Sequence, residues 1–509
     1  MERYDVPSEA DSFEGATKLF GTLVKDLQGP AAGELGHHDL EELIGTRGRE
    51  VLRQLFQDHL QLRRRREAEA VRRCRPLVRG PEGLVRPRLE HGHRRLLATV
   101  FGTVTVSRCA WRRLDASNVH PVDAALSLPR GRYSHGLARL AVLEATRGSF
   151  DAARAAIARR CGNVIGKRQL EREVVHAARD IDAFYHAHVV EPCTADTMLV
   201  ISVDGKGIVM RPEALREATR QAAAKRAHTF RTRLASGEKS ARKRMATLGV
   251  VYDAKPAPRR PHDVIAPPGG RPDGGVARPG PKARGKWLCG SVIHDAEQVI
   301  SRVFDHAEAR DPGHRRRWVV LVDGARHQLD VIQAEAAQRG IALKIVIDIV
   351  HALEYLWQAT WSFHGSGDPA AEDWVATHAL ALLAGDAVEV ADAIEAQADR
   401  ARLTEDQRRG ADRCVNYLHS NAAFMHYDQA LAAGWPIASG VIEGACRHLI
   451  ADRLDVTGSR WGLAGAEAVL KLRAVTANGH LETYWKYHVT AEHQRLYPTP
   501  DQAQYDLTA

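Results

Sequence analysis

Long apolar runs are missing from this chain. No stretch of about 18 consecutive apolar residues occurs, so no transmembrane helix is expected. The opening stretch, "MERYDVPSEADSFEG", lacks a basic region followed by an apolar core, which argues against a signal peptide. Close cysteine pairs are missing as well. Seven cysteines are scattered as singles, and an odd, unpaired set fits reduced thiols in a cytoplasm better than a disulfide framework. No internal repeat is visible.

A length of 509 residues favours several domains over one, and a hydrophobic content of 44% is enough for real cores. The net charge of +9 and the pI of about 9.2 point to an acidic partner, for which nucleic acid is the usual case. The excess is rich in arginine and clustered, as in "RRRRE" at Arg63 to Glu67 and "RRRW" at Arg315 to Trp318.

Between Leu40 and Val71 the apolar residues Leu43, Ile44, Val51, Leu52, Leu55, Phe56 and Leu60 keep a helical period, so an amphipathic helix running into the arginine cluster is expected. "RRLLATVFGTVTVSRCAWR" holds two β-rich runs around Phe101-Gly102 and reads as a hairpin. Ser149 can cap a helix from Phe150 to about Arg160, Cys161-Gly162-Asn163 supplies a turn, and a second helix carries Lys167, Arg168, Gln169 and Arg172 near its start. Helix, short glycine turn, then a helix with basic and amide residues in its first turns is the pattern of a helix-turn-helix reader of DNA. The plain alternative is two packed helices of any bundle. Downstream, "MATLGVVYDA" and "WLCGSVIHD" read as strands, and the Pro-, Gly- and Arg-rich stretch between them as a mobile loop. Asp295 to Arg310 reads as a helix. Two buried strands then alternate with helices through Trp357, which implies a parallel pair. From about Trp361 to Gly434 everything looks helical.

Two aspartates share one setting. Asp204 ends the apolar run of "LVISVDGKG" and Asp323 ends that of "WVVLVDGA", each followed by glycine. Asp-Gly is also an ordinary turn pair. If both strands lie in one sheet, the carboxylates can converge at one rim, where they repel unless a cation lies between them. Oxygen ligands suit Mg²⁺ or Mn²⁺, and two such ions make a phosphoryl-transfer site. Glu443 in "SGVIEGACRHL" is the best third carboxylate, because the chain returns there after the helical stretch. The alternative for each acid is a cap, a turn or a surface charge.

The strings "ISVDGKGIVMRPEALREATR", "VVLVDGARHQLDVI", "IDIVHALEYLW", "IASGVIEGACRHLIADRLDVTGSRWGL" and "AEAVLKLRAVTANG" resemble those of the bacterial insertion-sequence DDE transposases of the Kra group. The likeness runs from about Leu97 to His488. More distantly the chain is similar to transposases with an Asp-x-x-His signature after the second aspartate, here Asp348-Ile-Val-His351. The resemblance implies an α+β multidomain protein. Its parts would be an N-terminal helical basic arm (1–96), a β-hairpin with helix-turn-helix (97–190), and an RNase H-like mixed sheet flanked by helices (195–360). An all-helical insertion (361–436), the returning helix with Glu443 (437–490) and a tail (491–509) would follow. The sheet would present Asp204 on its first strand and Asp323 on its fourth.

The implied activity is cleavage of DNA at the element's terminal inverted repeats and joining of the freed 3′-hydroxyls to target DNA, with two Mg²⁺ or Mn²⁺ ions held by Asp204, Asp323 and Glu443. A homodimer or larger assembly on paired ends, and a cytoplasmic, nucleoid-associated location, go with it. Arg460 and Trp461 fall in the family-like "GSRW" string. The indole could stack on a base, or serve as core packing at a helix end. Lys206 could meet a phosphate or stay solvated. Asp348 and His351 are expected behind the metal-binding acids, capping the following helix and locking the strand end, rather than on DNA. In one respect the chain departs from the family: cysteine pairs at the hairpin, as in a zinc ribbon, would be in keeping with it. Here only Cys109, with Cys74 upstream and His91 and His93 nearby, is present, so structural zinc is not expected there. Two other functions remain open: a catalytically silent DNA-binding regulator derived from a transposase, and an RNase H-like nuclease or resolvase that cuts without joining.

Overall fold

The computed structural model describes residues 12–74, 76–191, 196–226, 242–271 and 275–498. The chain is an α+β protein with an antiparallel three-stranded sheet and a mixed five-stranded one. It divides into two compact units, one running to His186 and resuming at His480, the other spanning Ala187–Gly479. Among the described residues no helix is long and apolar enough to cross a membrane.

The first unit begins with helix Glu14–Gln28 against the long helix His37–Cys74. Asp58 ties them: its carboxylate accepts from the Ala16 amide at 2.8 Å and from the Gln54 side chain at 2.7 Å. The long helix has the expected period, yet Ile44, Leu52 and Leu55 stay exposed, and only its C-terminal half packs inward through Leu60 and Val71. It lies on the hairpin of β1 (Arg88–Thr99) and β2 (Gly102–Arg113), which β3 (Ala116–Val119) extends. Leu60, Leu97, Val104, Val106 and Leu128 form one core cluster there, and Val71, Val78, Trp111, Val119 and Val122 another.

Helices His135–Arg147, Phe150–Cys161 and Lys167–Ala177 then pack on one another. Ser149 caps the second of them by accepting from the Ala152 amide, and Gly162 ends it at φ +79°, a conformation that costs glycine little. The C-terminal helix Leu481–Leu496 completes this unit, with the Tyr484 hydroxyl donating to the Ala177 carbonyl.

In the second unit the strands are β4 (Met198–Val209), β5 (Lys243–Ala254), β6 (Ala283–Ser291), β7 (Trp318–Val322) and β8 (Leu343–Ile347), in the order β6-β5-β4-β7-β8. β4, β5 and β6 pair antiparallel; β4, β7 and β8 pair parallel. β7 is buried at every residue, which is why its sequence is an unbroken apolar run. Helix Ala296–Arg310, capped by Asp295, covers β4, β5 and β6, while helix Leu463–Ala477 packs on β6. Glu467 on that last helix is buried. It accepts from the Ser291 hydroxyl at 2.8 Å and the Val292 amide at 2.8 Å.

Three readings from sequence change. Asp204-Gly205 is not a turn, because β4 runs straight through it to Val209, paired with β5 as far as Lys243. The apolar Ile208 and Val209 carry the strand on past the Asp-Gly pair. The Pro-rich stretch after β5 is pinned over its first part. The Ala257 amide donates to Gly434 and that of Arg259 to Leu431, each at 3.0 Å. The "RRRW" cluster is also partly internal: Arg316 is buried and donates to Asp253 at 2.7 Å.

After β8 the chain makes helices Ile349–Thr360, Ala370–Ala384, Ala387–Arg400, Glu405–Asn421 and Tyr427–Ala432. It comes back to the end of β8, where the Ile349 amide donates to Ile437 at 2.9 Å. The helix Gly440–Ala445 follows at once and widens into a π-helical turn over Cys446–Ala451.

Candidate active site

The parallel pairing of β4 with β7 runs from Leu199↔Trp318 to Ser202↔Leu321. Two residues further along stand Asp204, still within β4, and Asp323, just past the end of β7; strand alternation sends the Asp204 side chain to the face used by Ser202. β4 continues past this point and β7 stops, which opens a rim beside Asp204. Both aspartates are half-buried.

Each carboxylate is oriented locally. Asp323 Oδ1 accepts from the Ala325 amide at 2.9 Å, and its carbonyl accepts from the Tyr417 hydroxyl at 3.0 Å. Gly324 between them adopts φ +91°, and a Cβ there would lie 2.9 Å from Asn421 Oδ1, so both conformation and space demand glycine. Asp204 Oδ1 accepts from the Gly205 amide at 2.6 Å, and its Oδ2 from the Cys446 thiol at 3.1 Å. Burial, then the charge of Asp204, pushes the Cys446 thiol up, with Glu443 adding to the effect, so it stays protonated and donates.

Asp348 is fully buried. Its amide donates to the Val322 carbonyl at 2.8 Å, which places it beside the end of β7. Oδ1 caps the next helix by accepting from the Val350 amide at 2.9 Å, and Oδ2 accepts from the Ser439 hydroxyl. The same hydroxyl lies 3.3 Å from Glu443 Oε1, and with one proton it cannot serve both acids fully. Asp348, His351 and Glu443 offer ligand atoms that all lie within 4.8 Å of one another. His351 Nδ1 is also 3.4 Å from Glu354 Oε2. Tyr417 stacks on Tyr355 with ring centroids 3.9 Å apart. Its phenol is pushed up by burial first, and then by Tyr355, Asp323 and Asp348.

A connected set results: Asp204 to Cys446, whose helix carries Glu443; Glu443 to Ser439; Ser439 to Asp348; and the Asp323 carbonyl to Tyr417, whose phenol also feels the charge of Asp348. The structure brings Glu443 to His351 and Asp348 as well as to the Cys446 side. Oxygen donors predominate, and such a group of acids suits a hard divalent cation. Lys206, exposed on β4, bears on the same thiol as Asp204 and supplies positive charge at this rim. Sequence reasoning did not find Cys446, Ser439 or Tyr417. The first two are spaced one helical turn from Glu443, a visible signal, but nothing local says which acids they face.

The other candidates lie elsewhere. Arg460 is exposed. Trp461 is 6% exposed, donates from Nε1 to the Leu454 carbonyl at 2.9 Å, and has the Arg453 guanidinium 4.7 Å over its ring. Its backbone bridges to Met210 at the end of β4. Of its two roles, packing is the one this conformation displays. In the first unit, helix Lys167–Ala177 buries Leu170, Val174 and Ala177 and leaves Lys167, Arg168, Gln169 and Arg172 outside its buried face. Lys167 pairs with Asp151 at 2.5 Å. Comparison with known proteins finds no family whose model matches the chain, and no match among curated proteins.

Proposed function

We propose that this chain is a DNA transposase of the DDE type, in which Asp204, Asp323 and Glu443 form the metal-binding site of an RNase H-like domain. One observation carries this reading. Asp204 and Asp323 each stand two residues beyond the last paired residues of neighbouring parallel strands, and after a long helical insertion the chain returns the helix of Glu443 to Asp204 through Cys446 and to Asp348 through Ser439. The order β6-β5-β4-β7-β8, three antiparallel strands followed by two parallel ones, fits an RNase H-like sheet. The basic balance and the exposed first turn of helix Lys167–Ala177 fit a DNA partner, with a helix-turn-helix as the reader of the element's ends.

The donor set matches the cation this chemistry uses. Glu443 lies within 4.8 Å of Asp348 and His351, and carboxylate oxygens are the ligands that Mg²⁺ or Mn²⁺ take. When bound, such ions activate an attacking oxygen and stabilise a leaving one in phosphoryl transfer. The protein's own part is positional. Cys446 orients Asp204, the turn at Gly324 orients Asp323, and Ser439 fixes buried Asp348 near Glu443. Lys206 is free to neutralise a phosphate of the bound strand. Exposed Arg460 is assigned to the DNA in this reading. Two copies on paired ends follow from the need to cut and join both ends of one element.

The test is direct. Full-length protein is incubated in Mg²⁺ with DNA carrying the flanks of its own gene, and the ends produced are mapped. Cuts at inverted repeats, with 3′-hydroxyls joined to a second DNA, are expected. Cleavage without any joining would make it a nuclease, and neither cleavage nor joining would overturn the proposal.

A further inference from the structure

We propose that His176, His488 and Glu492 bind one divalent cation of the zinc class, at a site in the first unit that is separate from the acidic rim. His176 lies on helix Lys167–Ala177; His488 and Glu492 lie one turn apart on helix Leu481–Leu496 and so share a face. The three offer ligand atoms all within 4.8 Å of one another. Glu492 is 3% exposed, and among the described residues its Oε2 has no hydrogen-bond partner, although His176 Nε2 is 3.1 Å and the Arg495 guanidinium 3.7 Å away. An acid left that way inside a protein costs stability unless something else satisfies it. Two ligands that each stand about 2.0–2.2 Å from a tetrahedral ion lie roughly 3.3–3.6 Å apart, so the 3.1 Å His176–Glu492 approach needs to open by only a few tenths of an ångström for shared coordination.

The surroundings of His488 complete the case. Its Nδ1 meets Asp180 Oδ2 at 2.6 Å, and Asp180 is itself gripped by Arg495 at 2.7 and 2.9 Å. A carboxylate on one ring nitrogen fixes the tautomer and leaves Nε2 as the ligand, which is the usual support of a metal-bound histidine. Glu173, one turn before His176, is near enough to Glu492 for the two carboxyl groups to repel, and a cation would relieve that too. Two imidazoles and a carboxylate select a borderline first-row ion over Mg²⁺, whose ligands are oxygens. His176 is the half-exposed member, so a fourth position can open to water. The ion would clamp the C-terminal helix to the helix that carries Arg168. These ligands are distinct from Cys109 and His91 at the hairpin, whose sulfur and Nδ1 are 3.2 Å apart with no further ligand cluster among the described residues.

The test uses tag-free, full-length protein, stripped with a chelator and titrated with Zn²⁺ against a competing chromophoric chelator. One tight equivalent is expected, with Co²⁺ giving the intense visible bands of a four-coordinate site. His176→Ala should weaken this binding by about 100-fold or more, and Asp180→Asn by roughly 10–100-fold, the range for removing a carboxylate behind a ligand. Glu443→Gln should leave it unchanged. Zn²⁺ should raise the melting temperature of the parent and not of His176→Ala, which also reports that the variant is folded. No tight equivalent in the parent, or full binding by folded His176→Ala, would overturn the proposal.

Discussion

Replacing Ser439 by alanine should destabilise the second unit by about 2 kcal/mol, in the range for a hydrogen bond to a charged group. Ser439 is 5% exposed and donates to Oδ2 of Asp348, which is 0% exposed. Without the hydroxyl, that oxygen loses its donor inside the fold, since Val350 serves Oδ1 and Asp348 is fully buried. The 3.3 Å contact of Ser439 with Glu443 adds little, since it is long and Glu443 is exposed. For a unit of this size, a loss of about 2 kcal/mol corresponds to a drop of roughly 4 °C in melting temperature. Calorimetry on the parent, Ser439→Ala and Ser439→Thr reads it, with threonine keeping the hydroxyl and most of the stability. A shift under about 1 °C for the alanine variant would show that Asp348 is not held through Ser439.

The hairpin unit should be sensitive to acid through His120. Burial first, and then the charges of Arg108, His93 and Arg95, lower its imidazole to about 4. The folded state thus favours the neutral ring, and the stability this contributes is complete above the ordinary value of about 6.5 and is lost as pH falls toward 4. After allowing for its partial exposure the loss is about 1–2 kcal/mol. Urea midpoints at pH 7.5 and 4.5 should therefore fall further for the parent than for His120→Gln, and equal falls would contradict the reasoning. Arg168→Ala should weaken binding to the cognate DNA end by about 1–3 kcal/mol if the side chain meets a guanine. Fluorescence anisotropy reads this change, and unchanged affinity would remove Arg168 from the interface.

Local chemistry was legible in the sequence wherever a single element decided it. Ser149, Asp295 and Asp348 cap the helices they precede, and the unbroken apolar run before Asp323 became a fully buried parallel strand. Asp204-Gly205 stayed open between turn and sheet rim because an Asp-Gly pair looks the same at a turn and inside a strand, and only the pairing with β5 decides between them. Arg316 of the "RRRW" cluster reads as surface charge until Asp253, far away in sequence, is seen beside it. Trp461 shows the same limit, since its burial depends on Leu454, Arg453 and the end of β4 together. Cys446 and Ser439 are visible as neighbours of Glu443, but their acidic partners lie on other elements. His176 and His488 are brought together only by helix packing, which no local pattern announces.

The central claim is that Asp204, Asp323 and Glu443 act as one metal-dependent site. Glutamine at 443 keeps the size of the side chain and supplies a neutral, weaker oxygen. DNA binding, driven by arginine and lysine on phosphates, should persist or tighten slightly when one negative charge is removed. The decisive measurement is therefore binding and strand cleavage by Glu443→Gln, side by side, on the same element-end DNA in Mg²⁺, with Asp204→Asn and Asp323→Asn in parallel. All three variants are expected to hold the DNA and fail to cut or join it. Normal cleavage by Glu443→Gln would contradict the account, as would loss of binding together with cleavage, which would make Glu443 a structural residue.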